Sequence, residues 1–350
     1  MKDATWPRTS IDRFLLAKRE AKNLKHVADA DTYTLLRRLH FDLTGLPPSP
    51  ETIERFVKEY AATPQAAIEN VVDALLASPH FGERWGRHWL DVVRFAETSG
   101  RQINFNYPQA WRYRDWVIAA FNADKPIDQF VREQIAGDLL PTNNPKLRAE
   151  RLIATGLLAI GAKPHSEKDP LQFQLDMVDE QIDTLSQAFL GLSVGCARCH
   201  DHRFDPIPQK DYYALAGIFR STETCYGTIR VIQCLHPAPL LDLPAGCGQP
   251  NGVELLTPER RKELETQSAE IKARRERQAR DNLPMTGIDF QNMATIEGRL
   301  ATYTADGKPK LAAHRGTRTQ QDVQQPTLSP GRDRATGQCR APWFAANLQP

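Results

Sequence analysis

The sequence predicts a mainly α protein with an irregular multi-helix domain over residues 1–222. After this domain we expect an extended linker rich in proline and glycine over 223–256, a charged helix over 257–282, and a linker and disordered tail over 283–350. Three observations predict this class. Apolar residues recur at intervals of three and four along the first two thirds of the chain. Capping residues and prolines mark the starts of many of these segments. No run of alternating polar and apolar residues, typical of strands, interrupts them.

The first four helices follow from apolar spacing and from the residues that begin or end helices. We expect them to begin near Ser10, Asp31, Pro50 and Pro64. The second ends in the stretch TGLPPSP, where Gly45 and three prolines stop it. In the first helix the apolar positions near helical spacing are Ile11, Phe14, Leu15 and Leu24.

A helix rich in tryptophan follows in the stretch HFGERWGRHWLDVVRFAE. Phe81, Trp85, Trp89 and Val92 recur at three- and four-residue intervals, which predicts that its aromatic side chains lie in the core. Further helices are predicted at about 109–122, 126–140, 146–160, 170–192 and 208–221. The charged helix at 257–281 offers only Leu264 and Ile271 as an apolar seam, which predicts a solvated helix.

The overall composition excludes several classes of partner. The net charge is +2, from 45 basic and 43 acidic residues, so no large field favours nucleic acid or an acidic membrane surface. No stretch approaches the roughly 18–20 apolar residues that span a bilayer, and residues 1–10 lack the apolar core of a signal peptide. We therefore expect no nucleic-acid partner and no transmembrane segment in this chain.

The stretch GCARCHDHRF contains the motif C-x-x-C-H at Cys196, Cys199 and His200. This motif is the attachment signature of c-type haem, because two thiols three residues apart can each add to one porphyrin vinyl group while the adjacent imidazole ligates the iron. From composition, the expected chance count is on the order of 0.003, so accident is a poor explanation. The motif predicts haem c, with His200 as the proximal ligand.

Two other interpretations of the motif stay open. Zinc takes thiolate and imidazole ligands in fours, and His202 would be an alternative zinc ligand beside the two cysteines and His200. Four ligands within seven residues would strain the backbone, which a distant donor such as Cys225 or His236 would relieve. The cysteines could also be a reduced or disulfide-bonded structural pair.

A haem would need a second axial ligand from the opposite face of the ring. His202 is too close in sequence to His200 to reach it. Met177 and His165 are the candidate distal ligands, with His88 as a further one, and methionine would give the higher potential. An open sixth position would instead suit small-ligand binding or peroxidase chemistry.

An acidic stripe precedes the motif. Asp176, Asp179, Glu180 and Asp183 fall at i, i+3, i+4 and i+7 and so share one helix face. They could bind calcium or supply acid and base groups for hydrolysis, although a solvated helix face is the simpler interpretation. No nucleophile elbow, phosphate-binding loop or H-E-x-x-H motif is present, so whether the chain is an enzyme stays undecided.

The chain resembles a known family in several blocks that occur in order over about residues 8–222. They include IDRFLLAKREAKNL, LLRRLHFDLTGLPPSPETIERF, LLASPHFGERWGRHWLDVVRFAETSG, WRYRDWVIAAFNADKPIDQFVREQIAGDLLP and GLSVGCARCHDHRFDPIPQKDYYALAGIF. These blocks resemble the domain-of-unknown-function 1549 family, described as planctomycete cytochrome C-like. The resemblance implies secreted, multidomain proteins with a signal peptide, often a cytochrome-like domain ahead and a second domain behind.

Against that pattern the chain looks truncated at both ends. The resemblance and the composition also break near His314, which motivates the hypothesis that residues after about 313 are an out-of-frame translation. The leading functional prediction is a c-type haem protein in electron transfer or haem-linked redox chemistry outside the cytoplasm, in the periplasm or beyond, with an unknown redox partner or associated secreted domain. The alternative is a non-haem metal-binding or interaction module of a larger secreted enzyme.

Overall fold

The computed structural model describes residues 6–25, 27–100, 104–107, 109–228, 234–238, 240–244, 246–247 and 256–281, and short pieces at 292–293, 296–297, 300, 303, 305, 312–313 and 315–318. The chain divides into two compact units, Met1–Phe81 and Gly82–Pro350. The described residues form eleven α-helices and four short strands, which confirms the mainly α class.

The first unit contains four helices: α1 (Ser10–Ala21), α2 (Thr32–Leu43), α3 (Pro50–Ala62) and α4 (Pro64–Leu76). Its core joins α2, α3 and α4 through buried apolar side chains: Leu36, Phe56, Ala67, Val71 and Leu75.

Side-chain caps fix where three of these helices begin. Thr9 and Asp12 form a reciprocal capping box at α1. Asp31 caps α2 through the backbone N–H of Thr34, and Ser49 caps α3 in the same way. Each cap satisfies a backbone donor that the first helical turn leaves without a partner.

The apolar residues of α1 lie mostly on the surface. Leu16 is buried, while Ile11, Phe14 and Leu15 are all at least half exposed; Leu24, predicted as part of this helix, lies three residues beyond its end and is also exposed. The helix therefore forms where the spacing predicts, but most of its apolar side chains are not buried within this unit.

The second unit holds the remaining elements, and α5 (Pro79–Val92) begins at the end of the first. They are α6 (Trp111–Asn122), α7 (Ile127–Ala136), α8 (Pro145–Ala154), α9 (Pro170–Leu185), α10 (Gln209–Arg220), α11 (Pro258–Arg280), β1 (Thr222–Cys225), β2 (Leu241–Asp242), β3 (Ala312–Ala313) and β4 (Arg315–Arg318). A 3₁₀ segment (Thr155–Leu158) extends α8, a π-helical turn (Ser186–Leu190) extends α9, and a second 3₁₀ segment spans Val194–Arg198. These extensions account for the longer helices predicted at 146–160 and 170–192.

Two clusters form most of the core of this unit. The larger is aromatic and includes Tyr107, Tyr113, Trp116, Phe130 and Phe173. The other packs α9 and α10 against the second 3₁₀ segment through Val178, Ile182, Val194, Ala197 and Tyr212. The motif of Cys196, Cys199 and His200 therefore lies on a scaffold made by two helices.

The prediction that the aromatic residues of α5 lie in the core is wrong for Trp85. Its side chain is 39% exposed, and the buried positions of the helix include Gly82 and Gly86. A Cβ atom at Gly82 would lie 2.4 Å from the Ile118 carbonyl oxygen, so α5 approaches α6 through glycine. Trp89 follows the prediction, since it packs on Phe130 with ring centroids 5.0 Å apart.

The strands form two antiparallel pairs, β1 with β4 and β2 with β3. β1 and β2 lie in the predicted extended linker, and β3 and β4 lie where the sequence predicted a disordered tail. The difference has a simple source, because an extended segment such as β1 offers unpaired backbone groups that a second segment can join. His314, Cys339 and residues 319–350 lie outside the described residues.

The charged helix α11 matches its prediction within a residue or two, but its seam is covered. Leu264 and Ile271 are buried and cluster with Leu256, Ile296 and Tyr303. The rest of this helix is largely solvated. Among the described residues, no helix is both long and apolar enough to cross a membrane.

Candidate functional site

The C-x-x-C-H motif lies on a short surface turn, which we call the cysteine turn (residues 194–200). The 3₁₀ segment begins at Val194, and Cys199 is its C-terminal cap. Because a 3₁₀ helix has three residues per turn, residues i and i+3 share a face. Val194 and Ala197 face the core and are buried, while Cys196 and Cys199 are exposed free thiols.

The chain reaches this turn through a change in helix type. The π-helical turn that follows α9 ends at Gly191, whose φ of +64° is left-handed and therefore favours glycine. Gly195 then lies against α9, because a Cβ atom there would be 3.7 Å from the Asp183 Oδ1 atom. The cysteine turn is thus laid along the acidic stripe of α9.

Arg198, between the two cysteines, fastens the turn to α9 and α10. Its guanidinium lies 3.4 Å from the Asp176 Oδ1 atom and 3.2 Å from the Asp179 Oδ2 atom. Its carbonyl oxygen accepts hydrogen bonds from Gln209 Nε2 (3.2 Å) and the Tyr213 hydroxyl (3.1 Å). We call these five residues the Arg198 clamp.

The pKa of Arg198 is consistent with its ion pairs to Asp176 and Asp179. Partial burial on its own would lower the pKa of Arg198, but the Asp179 and Asp176 carboxylates outweigh it and the pKa is raised. The Tyr212 hydroxyl donates to Asp179 Oδ1 at 2.5 Å. Burial, followed by this hydrogen bond, raises the pKa of Tyr212, so the tyrosine stays a neutral donor.

The other half of the stripe binds a second arginine. Arg94 Nη2 lies 2.9 Å from Glu180 Oε1 and also donates to the Glu180 carbonyl oxygen at 2.9 Å. Its Nη1 lies 3.8 Å from Asp183. Glu180 is largely buried, and burial raises its pKa in spite of the nearby Lys163 and Arg94 charges. All four carboxylates of the stripe therefore have partners within the fold, in contrast to the solvated face that was the simpler interpretation.

The two histidines of the motif region differ in their hydrogen bonds. His200 is exposed, and its Nδ1 atom lies 2.7 Å from the Asp201 carbonyl oxygen. A carbonyl only accepts, so this bond places the proton on Nδ1 and leaves the lone pair on Nε2. Metal-binding histidines commonly show this arrangement, in which one ring nitrogen donates to a backbone carbonyl and the other ligates.

His202 instead stabilises the loop that follows. Its Nδ1 atom accepts from the backbone N–H groups of Phe204 (3.3 Å) and Asp205 (2.9 Å). Its Nε2 atom lies 3.5 Å from the Ser193 hydroxyl, and its side chain is only 6% exposed. A zinc ion bound by His202 would have to displace these contacts.

The predicted distal ligands lie in the aromatic core. Met177 packs against the larger cluster. His165 is 2% exposed, and its ring contacts Phe105, Phe173 and Tyr226. Burial, with a smaller effect of the Lys163 charge, lowers the pKa of His165 to about 4, which keeps the ring neutral.

The two distant residues considered as zinc ligands, Cys225 and His236, pack against other parts of the fold. Cys225 is buried in β1. His236 stacks on Phe173 with ring centroids 4.0 Å apart, and its Nε2 atom lies 2.7 Å from the Glu167 carbonyl oxygen. Within the described part of the chain, no three or more histidine, cysteine, aspartate or glutamate side chains converge as a metal site.

The structure thus unites two features that the sequence presented separately, the motif and the acidic stripe. The i, i+3, i+7 spacing of Asp176, Asp179 and Asp183 predicted that these carboxylates share one face of α9. It did not predict which residues bind them. Nothing local in the sequence indicated that Arg198 binds Asp176 and Asp179, that Arg94 binds Asp183, or that Tyr213 donates to the Arg198 carbonyl oxygen.

These features define a class: a helical protein that presents a C-x-x-C-H motif on a clamped surface turn. A comparison with known families then places the chain. It belongs to the PSCyt2 family, proteins of unknown function (DUF1549), which matches residues 10–224. No curated protein and no solved structure matches the chain.

Proposed function

We propose that this protein binds haem c through the cysteine turn and acts in electron transfer or haem-linked redox chemistry outside the cytoplasm. One observation carries the proposal. The exposed turn presents both thiols on one face, next to an imidazole whose Nε2 lone pair is available. The PSCyt2 family name points in the same cytochrome-like direction.

The residues present fit the group in their donor chemistry. Cys196 and Cys199 would form the two thioether bonds, and His200 would be the proximal ligand through Nε2. The carbonyl of Asp201 would hold the ring and increase its basicity. When bound, haem would supply one-electron chemistry at iron, while the Arg198 clamp would keep the attachment residues in register.

We further propose that, if haem binds at the cysteine turn, neither His165 nor Met177 would be its second ligand. His165 is enclosed by aromatic rings and Met177 packs in the core, so distal ligation by either would require a rearrangement of the larger cluster. An open position would allow small ligands to bind. Cyanide added to the oxidised haem protein is then expected to shift the Soret band without a slow unfolding phase, whereas a spectrum unchanged by cyanide would indicate an internal sixth ligand.

Location and partners follow from the attachment chemistry. Covalent haem attachment to this motif takes place outside the cytoplasm, so we propose an extracytoplasmic protein that exchanges electrons with a redox partner or an associated secreted domain. Zinc remains the alternative cofactor at the turn, with calcium at the acidic stripe.

The test is expression of the full chain with an export signal and a cytochrome maturation system. We expect a haem-staining band that survives denaturation and a pyridine haemochrome spectrum typical of thioether-linked haem. Cys196→Ser and Cys199→Ser, singly and together, should remove or alter the covalent band. Cys247→Ser, a partly exposed cysteine outside the turn, is the matched control and should leave it unchanged.

A second measurement distinguishes the metals. Elemental analysis of the same preparation should give iron in proportion to haem. Stoichiometric zinc without covalent haem would refute the haem assignment and favour the metal-binding alternative, and the absence of both would favour an interaction module.

A further inference from the structure

The cysteine turn has a second chemical capacity that does not require haem. Cys196 and Cys199 are both exposed and both free thiols. They are three residues apart on a 3₁₀ segment that ends at Arg198, and Cys199 continues it with φ −102° and ψ −34°. The two side chains therefore lie on the same face of one turn.

The geometry of the backbone suits a disulfide. A 3₁₀ helix rises about 2 Å per residue and completes a turn in three residues, so Cα atoms at i and i+3 are about 6 Å apart. Disulfides join Cα atoms that are about 4.4–6.8 Å apart. The Cα separation of Cys196 and Cys199 therefore lies within the range that a disulfide spans, and closing the bond requires the two Cβ atoms to approach each other to about 3.5–4.5 Å.

The contacts that hold the turn use neither sulfur atom. Arg198 is bound through its guanidinium to Asp176 and Asp179, and through its carbonyl to Gln209 and Tyr213. Val194 and Ala197 bury the opposite face. These contacts order the turn in the reduced protein and leave both exposed sulfur atoms available for reaction.

We propose that the haem-free protein carries a redox-active dithiol at Cys196 and Cys199, which exchanges reversibly with disulfides in its surroundings. One thiolate attacks the external disulfide, forms a mixed disulfide and releases one thiol. The other cysteine then attacks its neighbour's sulfur, closes the internal disulfide and releases the second thiol. Two electrons and two protons pass from the protein to the external disulfide, which becomes two thiols.

The sequence provides a direct assay on the unaltered chain. Trypsin cleaves after Arg198, and so separates a peptide 169–198 that carries Cys196 from a peptide 199–203 that carries Cys199. The full-length protein is equilibrated with mixtures of reduced and oxidised glutathione, its free thiols are alkylated, and it is digested. We expect the two peptides to appear joined by a disulfide, with a ratio of joined to separate peptides that is proportional to the oxidised glutathione concentration divided by the square of the reduced concentration.

Variants give the control. Cys196→Ser and Cys199→Ser should each abolish the joined species and leave a glutathione adduct on the remaining cysteine, whereas Cys247→Ser should leave the joined species unchanged. The proposal is overturned if the native chain shows no joined species at any ratio of reduced to oxidised glutathione. This holds whether the two peptides carry separate glutathione adducts or remain unmodified.

The result is separable from the test of haem attachment. A chain that attaches haem in the maturation system yet never closes the disulfide would refute the dithiol and keep the haem proposal. A chain that closes the disulfide but never attaches haem would do the reverse.

Discussion

At the scale of single residues, Arg198 connects the cysteine turn to α9 through its side chain and to α10 through its backbone carbonyl oxygen. It is the unspecified second x of C-x-x-C-H, yet it joins the turn to two helices through Asp176, Asp179, Gln209 and Tyr213. The guanidinium is about one third exposed, so solvent screens its ion pairs and their worth is modest. Its importance lies in holding the turn more than in the total stability of the fold.

We therefore predict that Arg198→Ala loosens the turn locally. The free energy of unfolding should fall by about 1 kcal/mol, because half-exposed charged hydrogen bonds contribute at this level. The reaction of Cys196 and Cys199 with a maleimide should become faster and less uniform, measured by mass spectrometry of timed samples. Arg203→Ala, which removes only an exposed cation near the Phe204 ring, is the control. Equal labelling rates in both variants would contradict the clamp.

His202 and His200 show how much residue-level prediction was possible. The motif predicts that His200 is a ligand, and this stays a prediction; the structure shows that its Nδ1 atom lies 2.7 Å from the Asp201 carbonyl oxygen. The same sequence could not separate His202 from it, because the difference depends on the backbone N–H groups of Phe204 and Asp205, which turn toward His202 only in the folded loop.

At the scale of elements, helix starts were the most predictable feature. Asp31, Pro50, Pro64 and Pro170 lie at or next to observed starts, because caps and N-terminal prolines act locally. Which face of a helix is buried was less predictable. In α5 the closest approach to α6 is at Gly82, while Trp85 is 39% exposed, since close approach of two helices depends on the partner as well as on the spacing of large residues.

This contact gives a prediction for α5. Gly82→Ala should lower the free energy of unfolding by about 1–3 kcal/mol, because a Cβ atom 2.4 Å from the Ile118 carbonyl oxygen forces the two helices apart. The measurement is urea unfolding followed by circular dichroism.

The matched control is Gly217→Ala in α10. Nothing lies within 4 Å of a Cβ atom at Gly217, so alanine there should stabilise the protein by up to about 1 kcal/mol through its higher helix propensity. If Gly82→Ala were as stable as the native chain, or changed stability as Gly217→Ala does by becoming more stable, the close approach of α5 and α6 would be refuted.

At the scale of the whole molecule, the family match at residues 10–224 covers helices α1 to α10, which include most of the first unit and the cysteine turn, and leaves α11 outside. The helical class was predictable because it depends on periodicity along the chain. The core of the second unit was not, since it gathers side chains distant in sequence and encloses a charged one. Lys163 is 1% exposed, and its Nζ atom donates to the carbonyl oxygens of Ala159 and Gly161.

Lys163 should give global stability a characteristic dependence on pH. Burial lowers its pKa to about 8, below the ordinary value of 10.5. Between these two values the unfolded chain binds more protons than the folded one, so this residue makes stability rise as pH increases from about 8 toward 10. Below pH 8 its contribution is constant, because the lysine is charged in both states.

The comparison of Lys163→Met with the native chain isolates this effect. We expect urea unfolding between pH 7 and 10 to show that the free energy of unfolding rises less with pH, or falls more, in the variant than in the native protein. Lys146→Met, at an exposed position of α8, should keep the native profile. Parallel profiles for Lys163→Met and the native chain would show that the lysine titrates normally.

At Arg94 the backbone conformation favours glycine, whereas the ion pairs of the side chain require arginine. Its φ of +56° is left-handed, a conformation that costs a non-glycine residue roughly 1–2 kcal/mol and that glycine adopts freely. The same residue reaches Glu180 and Asp183 beside the cysteine turn. Glycine at this position would satisfy the local conformation and remove the only group that makes those contacts. The side chain of Arg94 therefore neutralises two carboxylates beside the cysteine turn at the cost of a strained backbone conformation at its own position.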